Sequence, residues 1–443
     1  MDAALQLLRL AGSAAAGLLL SPFYYVAVLL IMLQYMRQTG LERKLFHVRL
    51  RAWPNQLFRT MLAGLVVGVI MTLVGLFLGV TITGEAVLWM WGTAAVLVLV
   101  RVRYLCFAYS VGALGVLQWI VGWTPLADRT DWIGTAANSL SGLDIPGLLV
   151  LVALMHLAEA LLVRWQGDRF ASPVFLEGKR GKIVGGFTLQ GYWPVPMLML
   201  VPAAAGNGTD LSLPWSMLLG DSAQWSSGLT MIGFPMMIGF SELTRSLLPA
   251  AKARAAAKGL LIYGLGLGIV AVLASFWPTL TLAAALCALV LHEGLVAISY
   301  FTEETSPPFY VHSDQGLRVL AVIPGTPAEA MGILTGEVIH KVNGVRVRTK
   351  EELYAALHIN SAFCKLEVLN HEGQVKFVQR ARYAGEHHQL GVVLAPDDKA
   401  DLYAVASPAS LFDLFRQKRA AKSRQAEMST TSATSATTTT TPL

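Results

Sequence analysis

The chain has 443 residues, of which 54% are hydrophobic and 14% charged, with a formal net charge of +6. A soluble domain carries about a quarter charged residues, so a wholly soluble protein is excluded. The positive balance does not mark a nucleic-acid binder, because the basic residues sit in short loops between apolar runs, where anionic lipid explains them. Cys106, Cys287 and Cys364 are spaced too widely for a metal knuckle or a disulfide framework and read as inert thiols. Met1–Ala16 lacks the basic stretch of a secretory signal. Composition shifts near Tyr300, so residues 1–300 are expected to form a membrane domain and the rest a soluble region.

A helix crossing the bilayer core needs about 20 apolar residues. Hydropathy predicts helical spans over 14–36, 60–82, 86–100, 104–122, 145–163, 186–205, 229–248, 259–276 and 279–299, an α-helical polytopic bundle of eight or nine spans. Arg101 and Arg103 are expected to form a tight turn, and Pro194, Pro196 and Pro202 to kink the sixth span. The loops alternate in charge. Arg37, Arg43, Lys44, Arg49, Arg51 and Arg59 fill the first basic loop; Arg164, Arg169, Lys179, Arg180 and Lys182 another; Arg245, Lys252, Arg254 and Lys258 a third. The opposite loops hold Arg129 and otherwise acids, among them Glu85, Asp128, Asp131 and Asp144, with 123–144 and 206–228 read as polar external loops. The basic side is the cytoplasmic one, which puts the N-terminus outside and everything after Tyr300 inside.

Four ionisable residues lie within predicted spans and are functional candidates by position: His156 and Glu159 on one helical face, and His292 and Glu293 in the last span. A helical His-Glu-x-x-His would supply two zinc ligands and a general base. That motif, with a PDZ domain, resembles the intramembrane site-2 proteases. Here His292-Glu293-Gly294-Leu295 runs into Val296, so the second ligand is missing and no catalytic residue, metal or cofactor is expected. Interhelical imidazole–carboxylate pairing is the expected role, with proton or solute translocation as the alternative.

After a polar connector over 301–315, residues 316–396 change to strand periodicity. Leu317–Ile323 reads as a strand, Pro324-Gly325-Thr326-Pro327 as a turn into a short helix, and Val338–Val345 as a hairpin through Asn343-Gly344. Thr349 and Glu352 have capping-box spacing for a helix to about His358, and strands follow over 363–369 and 374–380. This order, with Pro324–Ala330, Gly332–Ile339 and Val342-Asn343-Gly344, resembles a bacterial-type PDZ domain, a small α+β fold, although Glu337 stands where the family usually shows Asp. The resemblance makes Leu390-Gly391-Val392-Val393 the carboxylate-binding loop. Strand addition would then bring a peptide beside the helix 350–358, with Leu353, Ala356 and Leu357 choosing its side chains.

Residues 397–428 are expected to include a basic amphipathic helix, Ser410–Arg424, and the Thr/Ser-rich stretch 429–443 to be disordered. Many spans followed by one cytoplasmic PDZ domain resemble the MinJ-type topological determinants of cell division in Gram-positive bacteria. The resemblance implies a multi-pass adaptor in the cell membrane at septum and poles, linking DivIVA to the ATPase MinD through protein contacts, with no nucleic acid involved.

Overall fold

The computed structural model describes residues 2–48, 50, 52–178, 181–202, 219, 228–360, 362–381 and 390–397. The expected helix Ser410–Arg424, the tail 429–443, most of loop 206–228 and Arg49, Arg51, Lys179 and Arg180 lie outside the described residues. The chain forms two compact units. One holds the chain up to Thr81, Ala153–Ile269 and the part from Glu293 on; the other holds Ile82–Val152 and Val270–His292.

Helices α1 (Asp2–Leu20) and α2 (Pro22–Phe46) replace the first predicted span. Ser21 and Pro22 break the run, and the two helices bend by 55°. Helices α3 (Trp53–Leu78), α7 (Ile145–Gln166), α8 (Pro249–Phe276) and α9 (Thr281–Thr305) follow the predicted spans closely. The largest departure concerns 186–205 and 229–248. Both segments are strands: β2 (Ile183–Pro202) and β3 (Leu229–Thr244) form an antiparallel hairpin, with β1 (Ala171–Glu177) on the other side of β2. By length and composition, four helices among the described residues can cross a membrane, or five if the bent pair is one span. The expected eight or nine are not reached among the described residues, where α4 and α5 are shorter apolar helices.

Hydropathy fails here because it measures apolarity and not backbone geometry. Three prolines at 194, 196 and 202 would each break a helix, but a strand tolerates proline wherever its N–H faces away from the neighbouring strand. Successive backbone groups of a strand point to opposite margins. Gly185 N–H, at an odd position, bonds on the margin that β3 occupies, while Leu198 N–H bonds Thr72 Oγ1 of α3 at 2.9 Å on the other. The even positions of β2 therefore face away from β3, and β1 covers them only as far as Leu189. Beyond that point α2 and α3 take over. Tyr35 Oη accepts from Tyr192 N–H and donates to Tyr192 O, each at 3.3 Å. Pro194 and Pro196 have no N–H to satisfy. Their carbonyls lie against Gly64 and Gly68 of α3, where any added Cβ would collide with Pro194 O or Pro196 O. Leu200 bridges Thr81. On the outer margin of β3, Gly233 meets Ala14 and Leu18 of α1.

Beside Tyr192, Trp193 is fully buried and donates through Nε1 to Gln166 Oε1 at 3.0 Å. Phe170 stacks on Tyr35 and meets Trp193 edge-on. Glu42, also buried, accepts from Ser172 Oγ at 2.7 Å.

The second unit contains α4 (Gly84–Val100), α5 (Phe107–Val121) and α6 (Trp132–Ser141). Arg101 ends α4 in an extended conformation, and a 3-10 turn over Val102–Leu105 leads into α5, the break expected at these arginines. Gly112 and Gly115 of α5 pack on Leu289 and Ala285 of α9. Segment 123–144 is more than a loop. Asp131 caps α6 through Gly134 N–H, and the Arg129 guanidinium, 2.6 Å away, holds the Asp131 carboxyl below its ordinary range.

Gly64→Val and Gly68→Val should each destabilise the protein by at least 1–3 kcal/mol, roughly the cost of overpacking, read as a lower melting temperature in detergent. Gly75→Val, on the same helix with open space around it, should leave that temperature within a degree or two.

Candidate peptide-binding site

α9 runs to Thr305, so residues 301–305 of the expected connector are helical. Arg245 donates to the Glu303 carbonyl and to Glu304 Oε2, and Lys252, itself buried, lies 3.3 Å from both Glu242 and Glu303. The chain leaving α9 is thus fastened to the end of β3. Phe309 N–H donates to Arg245 O, and Gly185 N–H donates to Tyr310 O, both at 2.8 Å. Tyr310 is fully buried and meets Phe187 and Phe309 edge-on. Burial pushes its phenol above the ordinary value, against the opposing charge of Arg318. Arg318 lies 4.5 Å from the Phe309 ring centre, and burial lowers its guanidinium. Leu248 and Phe309 approach Gly336, and Leu320 approaches Gly185, so the C-terminal domain is seated on the β1–β3 sheet.

That domain has strands β4 (Leu317–Val322), β5 (Val338–Val342), β6 (Val345–Arg346), β7 (Phe363–Leu369), β8 (Val375–Ala381) and β9 (Val392–Leu394), with helices α10 (Pro327–Ala330) and α11 (Lys350–His358). The sheet order is β8-β7-β5-β4-β9, with β6 on β5. The turns form as their residues dictate. Asn343 (φ 50°) and Gly344 (φ 85°) make the hairpin turn. The Asn343 side chain donates to Ala356 O at 2.9 Å and accepts from Lys365 N–H at 3.0 Å, tying α11 to β7. Thr349 and Glu352 form the expected capping box. Glu337 is buried and satisfied: Lys376 Nζ lies 3.0 Å away and Leu334 N–H donates to it at 2.9 Å.

The loop before β9 is shaped by three contacts. Ile323 N–H donates to Gly391 O, and Ala328 N–H, in the first turn of α10, donates to Leu390 O. Gly391 has φ +87°, and an added Cβ there would collide with Thr326. Leu390 is buried in the domain core, and Val392 and Val393 enter β9, opposite Val322 and Ala321 of β4. Among the described residues, β9 is an edge strand paired only with β4. Its other margin is where an added strand would bond. The expected side-chain selectors are placed differently. Leu353, Ala356 and Leu357 are all buried in the core with Leu317, Val342 and Leu366, because the apolar face of α11 must cover the sheet. Thr326 is legible in the sequence as part of the turn into α10, but its contact with Gly391 spans 65 positions and no local pattern announces it.

The candidates within spans have tyrosines as neighbours. In the first unit, buried His156 of α7 meets the Tyr263 ring edge-on at 4.8 Å, and Glu159 sits one turn further along the same helix, half-buried. In the second, His292 of α9 bonds Tyr109 Oη at 3.0 Å through Nδ1. Glu293 follows it in the same helix.

A sheet flanked by two helices, with an edge strand behind a glycine loop, is the build of a peptide-recognition domain, and the PDZ-domain family model matches residues 318–367. The cell division topological determinant MinJ of Bacillus subtilis (strain 168) is 30% identical over 392 residues, covering 87% of this chain and 94% of that protein. The probable cell division topological determinant MinJ of Lacticaseibacillus paracasei is 29% identical over 287 residues, 61% of this chain and 73% of that one. No solved structure matches. The chain belongs to the MinJ family of cell-division topological determinants: a membrane protein with apolar helices and a PDZ domain.

Gly391→Ala and Gly373→Ala both force a side chain into left-handed backbone, at about 1–2 kcal/mol each. Only the first adds the Thr326 collision. Thermal unfolding should show the larger loss for Gly391→Ala, partly restored by adding Thr326→Ala.

Proposed function

We propose that this protein is a membrane-anchored, non-catalytic adaptor whose PDZ domain faces the cytoplasm and captures division-site proteins. The observation that carries this reading is the margin of β9 that pairs with no other strand among the described residues, next to the Leu390–Gly391 loop, on a domain seated on the β1–β3 sheet. A partner's extended segment would pair with that margin through its backbone, so recognition tolerates many side chains. The basic loops around Arg43, Lys44, Arg164, Arg169, Arg254 and Lys258 support a cytoplasmic location for the ends of α2, α7 and α8. Val296 in place of a second histidine argues against zinc-dependent proteolysis at His292 and Glu293. The partners that fit are those implied by the resemblance, a DivIVA-like curvature-sensing protein and a MinD-like ATPase, and the sites of action are septum and poles.

The test is the tagged full-length chain against the same chain without 316–396, each purified from dividing cells with a fluorescent reporter fused at the C-terminus. The intact chain should concentrate at septa and co-purify with both division proteins. The deletion should insert in the membrane yet lose at least one of them. Equal recovery by both chains, or a reporter exposed outside the cell, would refute the adaptor.

A further inference from the structure

We propose that Cys106 and His292 are two donors of a transition-metal site in the second unit, of the thiolate–imidazole class that holds zinc. Cys106 Sγ lies 3.7 Å from His292 Nε2. When sulfur and nitrogen share a tetrahedral zinc ion at about 2.3 and 2.1 Å, they stand roughly 3.6 Å apart. The pair already has the spacing of one edge of such a site.

Three further features fit a metal. The other ring nitrogen of His292, Nδ1, lies 3.0 Å from Tyr109 Oη. With the ring proton on Nδ1, donated to that oxygen, the lone pair is left on Nε2, facing the sulfur. A hydrogen bond from the ring nitrogen that does not bind the metal orients nearly all metal-binding histidines. Second, Cys106 is the residue that precedes the first turn of α5, a helix of 15 residues, and the N-terminal end of a helix favours the thiolate that a metal requires. Third, Cys106 and Tyr109 are three residues apart, so one helical turn presents both to the same imidazole, and Tyr109 is buried there with its ring edge-on to His292. Cys106 and His292 are half-buried, which leaves an ion a way in. Donors 186 positions apart leave no metal-ligand spacing to read along the chain. The ion's other positions fall to further donors or solvent. Tyr109 is a positioning residue: it acts on the metal only through His292.

The experiment uses the full-length protein in detergent, stripped with a chelator and titrated with Co(II) alone, then with Zn(II). One equivalent of Co(II) should give the near-ultraviolet thiolate-to-cobalt absorption, and Zn(II) should abolish it. Cys106→Ser should lose the band while Cys287→Ser and Cys364→Ser keep it. His292→Ala should weaken Co(II) binding more than tenfold, and Tyr109→Phe by about tenfold with the band still present. A measurement on the unsubstituted chain guards against misfolded variants: Zn(II) should slow maleimide labelling of Cys106 at least tenfold. A wild-type protein without the band, a band that survives Cys106→Ser, or labelling of Cys106 unaffected by Zn(II) would overturn the site and leave a plain S–H···N contact.

Discussion

At bilayer depth a peptide N–H or C=O finds no water, and leaving one unpaired costs several kcal/mol. A helix meets that demand within itself; an open strand does not. The hairpin of β2 and β3 packs on α3, a helix able to cross a membrane, and its construction answers the same demand. Residues 192–202 of β2 extend roughly 33 Å at about 3.3 Å per residue. Over that length one margin is paired with β3. The other is closed group by group: Tyr35 Oη serves Tyr192, proline removes the donor at 194 and 196, Thr72 Oγ1 serves Leu198, and Thr81 bridges Leu200. Gly64 and Gly68 let the α3 backbone come close enough to cover the two proline carbonyls. In this setting proline satisfies the strand and glycine satisfies the helix that shields it.

The same sheet fixes where the PDZ domain stands. β3 ends at Thr244, opposite Phe187, and Tyr310 continues the ladder on β2 at Gly185. The connector is therefore a short extension of the membrane sheet. Buried Tyr310 and the Arg318–Phe309 stack hold it, and Arg245, Lys252, Glu303 and Glu304 tie α9 to β3 behind it. A domain held this way presents the margin of β9 at a fixed position relative to the sheet. For an adaptor that marks a place in the cell, a fixed posture lowers the entropy lost when a partner is ordered on it.

Much of this was legible in the sequence where local chemistry decides. The Thr349–Glu352 capping box, the Asn343-Gly344 turn, the Arg101–Arg103 break and the order of elements in the PDZ domain each follow from a few neighbouring residues. Segments 186–205 and 229–248 were misread because an apolar run of that length satisfies a span by hydropathy alone. The three prolines, taken as kinks, were the signal of a strand: two of them stand two apart, the spacing of one strand margin. The core placement of Leu353, Ala356 and Leu357 was not legible, since the apolar face of a short helix looks the same whether it lines a groove or covers a sheet. Long-range partners such as Thr326 with Gly391, Tyr35 with Tyr192 and Tyr109 with His292 have no local signature.

The most direct test of the hairpin is a cysteine scan of residues 190–202, in a background free of other cysteines, read by the emission of an environment-sensitive label in native membranes. A strand with alternating faces should give a signal of period two, with residue 198 forming a disulfide with a cysteine at 72. A period near 3.6 residues, with no such disulfide, would show a helix there and contradict the account.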